Sequence, residues 1–404
     1  MEKKAFKVNT FMAGLAVFAA GLLLRLAFWK SGSADTYAFE LWFSSVREAG
    51  MRAFTDFLGD YNVPYIAVMY FVTKLPFSDF VCVKLVALAF DLLGPTSGYL
   101  IAKELASVSG SSEASKYGLI GMALVWLSPI TIGNAGYQAQ LEAMWAFTGF
   151  LAVYMFWKKR PAIGMALWAV SFAMKPQGVF FLPFILLYYY RSKSFSILHF
   201  LIVPAVIEVL SIPSMIAGNS FLYFWQYFLG QAGRYPFVYY YYPNIWIWMR
   251  DLPYYVFGKV GIGMMVTAFV LVTIGFVRRG RDDDWTFVRD LELLVWSLMT
   301  CAMFLPAMHE RYNYPAEVML PVLAVFDKKY RVPAAVLVAS GWLCNGMSYY
   351  GWGKAEFYGL SLLNMAVYAC LCAGIVKALS GKGADLAGSK ADSCRGSKLK
   401  GGSV

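Results

Sequence analysis

Charge is scarce in this sequence. Asp, Glu, Lys and Arg make up 15% of its 404 residues, against roughly a quarter in a soluble domain. Hydrophobic residues make up 59%, so a water-soluble fold of this length has no surface left to present. Regular alternation of polar and apolar residues is also missing, which excludes the strands of a membrane barrel. The six cysteines lack metal-ligand spacing. Cys82, Cys301, Cys344, Cys370 and Cys372 sit in or beside apolar runs, and Cys394 lies in the tail. Buried thiols of this kind behave as small hydrophobes, so neither a disulfide framework nor a metal site is expected. No soluble basic domain exists to carry the formal net charge of +11, so no nucleic-acid partner is expected. There is no internal repeat. The basic start (Lys3, Lys4, Lys7) is followed by an apolar stretch of full membrane length rather than a short core with a cleavage site, so it reads as a retained span.

What the sequence does have is long apolar runs: Phe11 to Trp29, Ile197 to Pro213, Val260 to Val277 and Leu291 to Pro306. A bilayer crossing needs roughly 20 such residues, and a segment in lipid satisfies its backbone internally as a helix. The expected fold is an all-α polytopic membrane protein with about 11–13 transmembrane or re-entrant helices. One membrane domain covers residues 1–379, and a Gly/Ser/Lys-rich disordered tail covers 380–404. Basic clusters at Lys158–Arg160, Arg191/Lys193, Arg278–Arg281 and Lys328–Arg331 flank the runs. They mark cytoplasmic loops by the positive-inside pattern.

That frame leaves two outer loops. The first, 31–62, carries Phe39, Trp42, Phe43 and Val46 at helical spacing, the pattern of an amphipathic helix on the outer surface. The second, 217–259, is rich in Tyr and Trp, as at a membrane interface. The topology of 62–103 is open, because Pro64 to Lys74 is short for a span. Two cytoplasmic clusters bracket the apolar run that holds Lys175-Pro176-Gln177. Proline breaks a helix, so the chain is expected to enter, break at Lys175 and return. Broken helices at membrane depth line protein-enclosed cavities.

The polar residues gather at the outer ends. Asp35, Asp56 and Asp60 lie in the first outer loop. Gln138, Gln140 and Glu142 open a helix, Arg234 and Asn244 lie in the second loop, and His309 and Arg311 end another helix. Ionisable groups near a membrane interior are candidate functional groups. A carboxylate that takes a proton, beside cations that hold a departing phosphate, suits a reaction on a lipid phosphate. Each residue also has a structural explanation. Asp60 and Asp35 would serve as helix caps, Lys175 would snorkel, Glu142 would pair with a lysine, and His309 and Arg311 would hold lipid headgroups. Asp91 and Glu208 look internal and structural. Asp282-Asp283-Asp284 looks like a metal-holding acidic motif, but in a short basic loop it is a solvated charge run. His309-Glu310-Arg311 lacks the second histidine of a zinc helix.

Taken in order, these segments resemble the C-type (GT-C) integral membrane glycosyltransferases. The likeness is nearest to bacterial relatives of the dolichyl-phosphate-glucose transferases and GPI mannosyltransferases. It runs from the first helix to about Phe326. Ala34-Asp35-Thr36-Tyr37, followed by Trp42, is similar to the family's first acidic motif. Asp60-Tyr61-Asn62-Val63-Pro64-Tyr65 is similar to Asp-Tyr-Pro-Pro-Leu, with Asn62-Val63-Pro64 in place of the double proline. Gln140-Leu141-Glu142 resembles Gln-x-Asp, with glutamate in the last place. Met174-Lys175-Pro176-Gln177, Asn244-Ile245-Trp246 and His309-Glu310-Arg311 resemble the Lys-Pro-Gln, Asn-x-Trp and His-Glu-Arg/Lys elements.

The resemblance implies an inverting transfer from a polyprenyl-phosphate-linked hexose or pentose to a glycan or glycolipid acceptor, at the outer face of the plasma membrane. Asp60 is then the first choice for general base, with Asp35 second or orienting the acceptor. Lys175, His309 and Arg311 stabilise the lipid-phosphate leaving group, and Gln140, Glu142, Asn244, Trp246 and Arg234 contact sugar or acceptor. Neither metal nor cofactor is implied. The rival readings are a polytopic lipid or polysaccharide transporter, which commonly shows paired broken helices, and a surface-polysaccharide polymerase or ligase.

Overall fold

A computed structural model describes residues 2–56, 59–231, 233–279, 285–350 and 356–381. The acidic run Asp282–Asp284 and most of the 380–404 tail lie outside the described residues. Helices account for nearly all regular structure, and no strand occurs among the described residues. Four helices are long and apolar enough to cross a membrane: Asn9–Ala27, Asp79–Val108, Tyr254–Arg279 and Phe357–Leu379. A fifth candidate is the pair Ala114–Trp126 and Pro129–Tyr137, bent by 42°. Val63–Val72, Pro161–Met174, Ile197–Leu210 and Tyr314–Phe326 are apolar but shorter. The chain is therefore a polytopic helical protein of membrane type. By length and composition alone the spans number fewer than the eleven to thirteen expected, because several apolar runs fold as short or broken pieces.

The open stretch 62–103 resolves into two parts. Pro64 sits in the first turn of the ten-residue helix Val63–Val72, where proline lacks only a hydrogen bond that helix starts do not make. Asp79–Val108 follows as one long candidate span. Its buried Asp91 accepts from Arg25 Nε at 2.5 Å, and the Arg25 guanidinium lies 3.5 Å from the Trp126 ring centre. Asp91 is thus structural, as is Glu208, which accepts from Trp225 Nε1 at 2.9 Å. Close packing of Leu93–Val108 on Ala114–Trp126 depends on Gly98 and Gly121. A Cβ on either would fall 2.3–2.5 Å from the other's carbonyl oxygen.

The hairpin at Lys175 is present. Pro161–Met174 ends there, a 3-10 turn Pro176–Phe181 follows, and Leu182–Ser192 returns. Tyr188 donates to the Phe156 carbonyl at 3.4 Å, and Phe156 stacks on Phe195. Both arms therefore begin and end at the same level, beside the basic clusters. The turn is tight because residue 178 is glycine: a Cβ there would meet the Phe172 backbone nitrogen at 2.5 Å. Trp168 pins it by donating to the Gly178 carbonyl at 2.9 Å.

Contacts sort the helix ends into two sets. At one end Trp157 stacks on Phe287, Arg191 pairs with Asp290 at 2.6 Å, and Lys329 pairs with Glu292 at 2.9 Å. At the other end of the same helices lie Glu142, Lys175 and Arg311. The basic clusters and the polar candidates thus occupy opposite ends of the bundle.

Candidate active site

The surface helix Ala34–Ala49 buries Thr36, Phe39, Phe43 and Val46, the three-four spacing read from the sequence. It packs on helices Asp79–Asp91 and Val63–Val72 rather than lying free on the membrane surface. Ser33 is its cap, with the Ser33 backbone donating to Thr36 Oγ1 at 2.9 Å. Asp35 is therefore released from capping. Asn62, not Asp60, occupies the cap position of Val63–Val72. Neither aspartate has the capping role that would explain it away.

Both carboxylates line a cavity of about 480 Å³. Lys175, Gln177, Arg234, His309 and Arg311 share its walls, together with Trp42, Tyr61, Tyr235, Tyr240 and Tyr312. These residues come from helix Ala34–Ala49, the following loop, the hairpin break, the segment 217–259 and the loop after Phe304. The sequence reading thus joined residues up to 276 positions apart that the fold brings to one chamber.

The cavity has two charged walls. On one, Asp60 Oδ1 pairs with Arg234 Nε at 2.8 Å, and Asp60 Oδ2 accepts from the Tyr235 hydroxyl at 2.6 Å. The Gly59 carbonyl, one residue earlier, accepts from Tyr227 at 2.5 Å and from Arg234 at 3.2 Å. The Tyr235 phenol is pushed above its ordinary pKa, first by desolvation and then by its bond to Asp60, so it remains a donor. On the other wall Lys175 pairs with Glu142. Arg311 reaches Glu142 at 3.4 Å, Asp35 at 3.3 Å and Glu310 at 2.5 Å. Gln140 Nε2 donates to Asp35 Oδ2 at 2.5 Å. Lys175 also sits 5.3 Å from the Tyr61 ring centre and 5.5 Å from that of Tyr312, distances at which an aromatic face attracts a cation.

Several expectations change at this point. Gln140 and Glu142 are fully buried behind the wall. They position Asp35, Lys175 and Arg311 rather than contacting sugar or acceptor. Asn244 and Trp246 do not line the cavity. Asn244 donates to the Ala302 carbonyl at 3.0 Å and accepts from the Trp246 backbone at 3.0 Å, while Trp246 donates to the Phe304 carbonyl at 2.8 Å. They brace the end of helix Phe287–Phe304, whose last carbonyls need partners. His309 is held below its ordinary pKa by burial and by Arg311. It is therefore neutral near pH 7 and offers a ring N–H rather than a full charge. The cations are also already paired: Lys175, Arg234 and Arg311 face Asp35, Asp60, Glu142 and Glu310. An anionic ligand must share them with these carboxylates.

No protein-family model and no curated protein matches this chain. Among the described residues no group of three or more His, Cys, Asp or Glu side chains is arranged to hold a metal ion. Tyr235, Tyr240, Tyr312 and Gln231 escaped the sequence reading. Tyr235 stands beside Arg234, the only Lys or Arg between Lys193 and Arg250, and that adjacency was the available signal. Tyr240 was hidden in a tyrosine run that interface anchoring explained equally well.

A second break was also missed. After Trp126 the chain bends and passes through a π-helical turn, Ile132–Tyr137, before Glu142. π turns occur frequently at functional sites. From its apolar length the stretch 116–133 reads as one crossing, so only the Lys175 break is expected from the sequence.

Proposed function

We propose that this chain is an inverting glycosyltransferase that uses a polyprenyl-phosphate-linked monosaccharide at the outer face of the plasma membrane. The observation that carries the reading is the single cavity in which Asp35 and Asp60 face Lys175, Arg234 and Arg311. An acceptor hydroxyl attacks the anomeric carbon from the side opposite the phosphate. The new C–O bond forms as the anomeric C–O(phosphate) bond breaks, and the hydroxyl proton passes to Asp60. Tyr235 and Arg234 orient the Asp60 carboxylate. Asp35, held by Gln140 and Arg311, orients the acceptor. Lys175 and Arg311 receive the phosphate oxygens, and His309 supplies a hydrogen bond rather than a charge. The position of the basic clusters at the opposite end supports the outward orientation.

The experiment is transfer by purified protein from polyprenyl-phosphate-linked glucose, mannose, galactose and arabinose, with wild type and Asp60→Asn. Acceptor-dependent release of polyprenyl phosphate that vanishes in the variant, with donor binding kept, supports the reading. Donor binding without release from any of the four sugars refutes it. A transporter is the second reading, and the second helix break at Trp126–Pro129 favours it. In that case Asp60→Asn alters a flux and no covalent product forms.

A further inference from the structure

Lys84 is a buried lysine that the proposed chemistry does not use. It lies in the span Asp79–Val108, is 2% exposed and stands outside the lining of the main cavity. Its hydrogen bonds go to backbone carbonyls rather than to a carboxylate. It donates to Gly136 at 2.8 Å, to Tyr137 at 3.0 Å and to Phe28 at 3.4 Å. An ammonium carries three protons, and these bonds use all of them. The three carbonyls are of the kind that a helix end leaves over. Phe28 follows the first helix, which ends at Ala27, and Gly136 and Tyr137 end the π turn. Away from water such carbonyls need partners, and here one side chain serves both segments.

The two segments that Lys84 joins meet again at the main site. One runs on from Phe28 to Asp35, the other from Tyr137 to Gln140. Thr36 Oγ1 donates to the Gln138 carbonyl at 2.5 Å, and Gln140 Nε2 donates to Asp35 Oδ2 at 2.5 Å. Between them Ala139 takes φ 51°, a left-handed conformation that is uncommon for a residue with a side chain. Such a residue persists only where its surroundings hold it. The Gln140 backbone N–H donates to the Asn134 carbonyl at 2.8 Å and fixes the return of the chain. The contact between Asp35 and Gln140 is thus one side of a closed frame, and Lys84 is the opposite side.

We propose that Lys84 is a positioning residue for Asp35: by tying Phe28 to Gly136 and Tyr137, it sets the reach of Gln140 to the Asp35 carboxylate. Its kinetic consequence rests on the glycosyl-transfer reading, in which Asp35 orients the acceptor. Glu142 keeps its own partners, Lys175 and Arg311, so the wall that receives the donor phosphate does not depend on Lys84. Loss of the lysine therefore falls on acceptor recognition and spares the donor.

The test compares the full-length wild type with Lys84→Met, Gln140→Leu and the double variant in lauryldimethylamine oxide, a detergent without sugar. Transfer is measured from the four polyprenyl-phosphate sugars to octyl glucoside and octyl mannoside. Lys84→Met raises the acceptor KM about five- to ten-fold, the worth of about one hydrogen bond, and leaves the donor KM within about two-fold. The double variant is no worse than Gln140→Leu, because both changes cut one route. A purely structural lysine lowers the melting temperature without moving the acceptor KM, and its loss adds to that of Gln140→Leu; either result overturns the proposal, as does an equal rise in donor KM. Hydrogen exchange tests the frame without turnover. In Lys84→Met the Gln138 and Gln140 amides, bonded to the Gly133 and Asn134 carbonyls, exchange at least about ten-fold faster, while helix Glu142–Trp157 is unchanged. Unchanged exchange at 138 and 140, or faster exchange spread through that helix, overturns the proposal. If the wild type transfers no sugar, the failure is that of the glycosyl-transfer reading, and the exchange result alone decides the role of Lys84. Should Lys84→Met not fold, Lys84→Gln, which keeps an N–H donor of shorter reach, is judged by the same criteria.

Discussion

Replacing Glu142 by glutamine is expected to destabilise the protein more than replacing its partner Lys175 by methionine. The asymmetry follows from partner counts. Glu142 is fully buried and has three partners: Lys175, Arg311 at 3.4 Å and Asn134 at 3.2 Å. Lys175, with a side chain 5% exposed, forms its ion pair with Glu142. Without Lys175, Glu142 keeps an arginine and a carboxamide, so the loss is about that of a charge-assisted hydrogen bond, roughly 1.5–3 kcal/mol. Without the Glu142 charge, Lys175 is a buried ammonium beside Arg311, and stranding such a charge costs about 3–5 kcal/mol. The double variant Glu142→Gln/Lys175→Met removes both ends and recovers about 1–2 kcal/mol relative to the sum of the singles. Thermal unfolding in detergent reads all three. For a chain this long about 1 kcal/mol corresponds to roughly 1–2 °C, so the glutamine variant melts about 3–10 °C below wild type. The reasoning is refuted if Lys175→Met costs as much as Glu142→Gln, or if the two changes simply add.

Other outcomes follow from the same geometry. Asp60→Asn lowers turnover by about 10²–10⁴-fold, the usual share of a general base, while donor affinity measured by direct binding stays near wild type. Tyr235→Phe removes the 2.6 Å bond to Asp60 and reduces kcat about ten-fold, consistent with one hydrogen bond to a charged group; an unchanged kcat counts against Asp60 as the base. Gly178→Ala places a methyl 2.5 Å from the Phe172 backbone and lowers stability by about 1–3 kcal/mol, visible as a lower melting temperature. His309 gives a pH dependence. Its folded-state pKa lies below the ordinary value, so the unfolded chain binds the proton more readily. Its contribution is present above about pH 6.5 and is lost as pH falls through the lower folded value. The melting temperature should fall on acidification over that window, and His309→Asn should flatten that part of the profile.

Much of the site was legible because its residues break local rules. Asp35 and Asp60 read equally well as helix caps until Ser33 and Asn62 are seen in those places, whereas Lys175 stands out at once, in an apolar run beside proline. Such conflicts between a residue and its surroundings need no tertiary information to detect. Asn244 and Trp246 were misread for the opposite reason. A buried asparagine that caps a 3-10 turn and a tryptophan that satisfies a helix end look, in sequence, the same as a sugar-binding pair. The fold class followed from composition. The number of spans did not, because periodicity measures apolar length and cannot tell a crossing from a hairpin arm. The pairing of cations with carboxylates was equally hidden, since it depends on distances between segments far apart in the chain.

The hairpin at Lys175 has a consequence for biosynthesis. Its first arm has 14 residues and its second has 11, about 21 and 16 Å of helix, while the hydrocarbon core is roughly 30 Å thick. Neither arm can hold a stable place in lipid alone, and a broken helix at membrane depth needs protein around it. The partners that cover it include Glu142–Trp157, made just before, and Phe287–Phe304, made more than a hundred residues later. The nascent chain must therefore keep this segment provisionally placed until the later helix arrives. A ribosome stalled between the two, or a truncation before Phe287, yields a product whose hairpin is a target for membrane quality control.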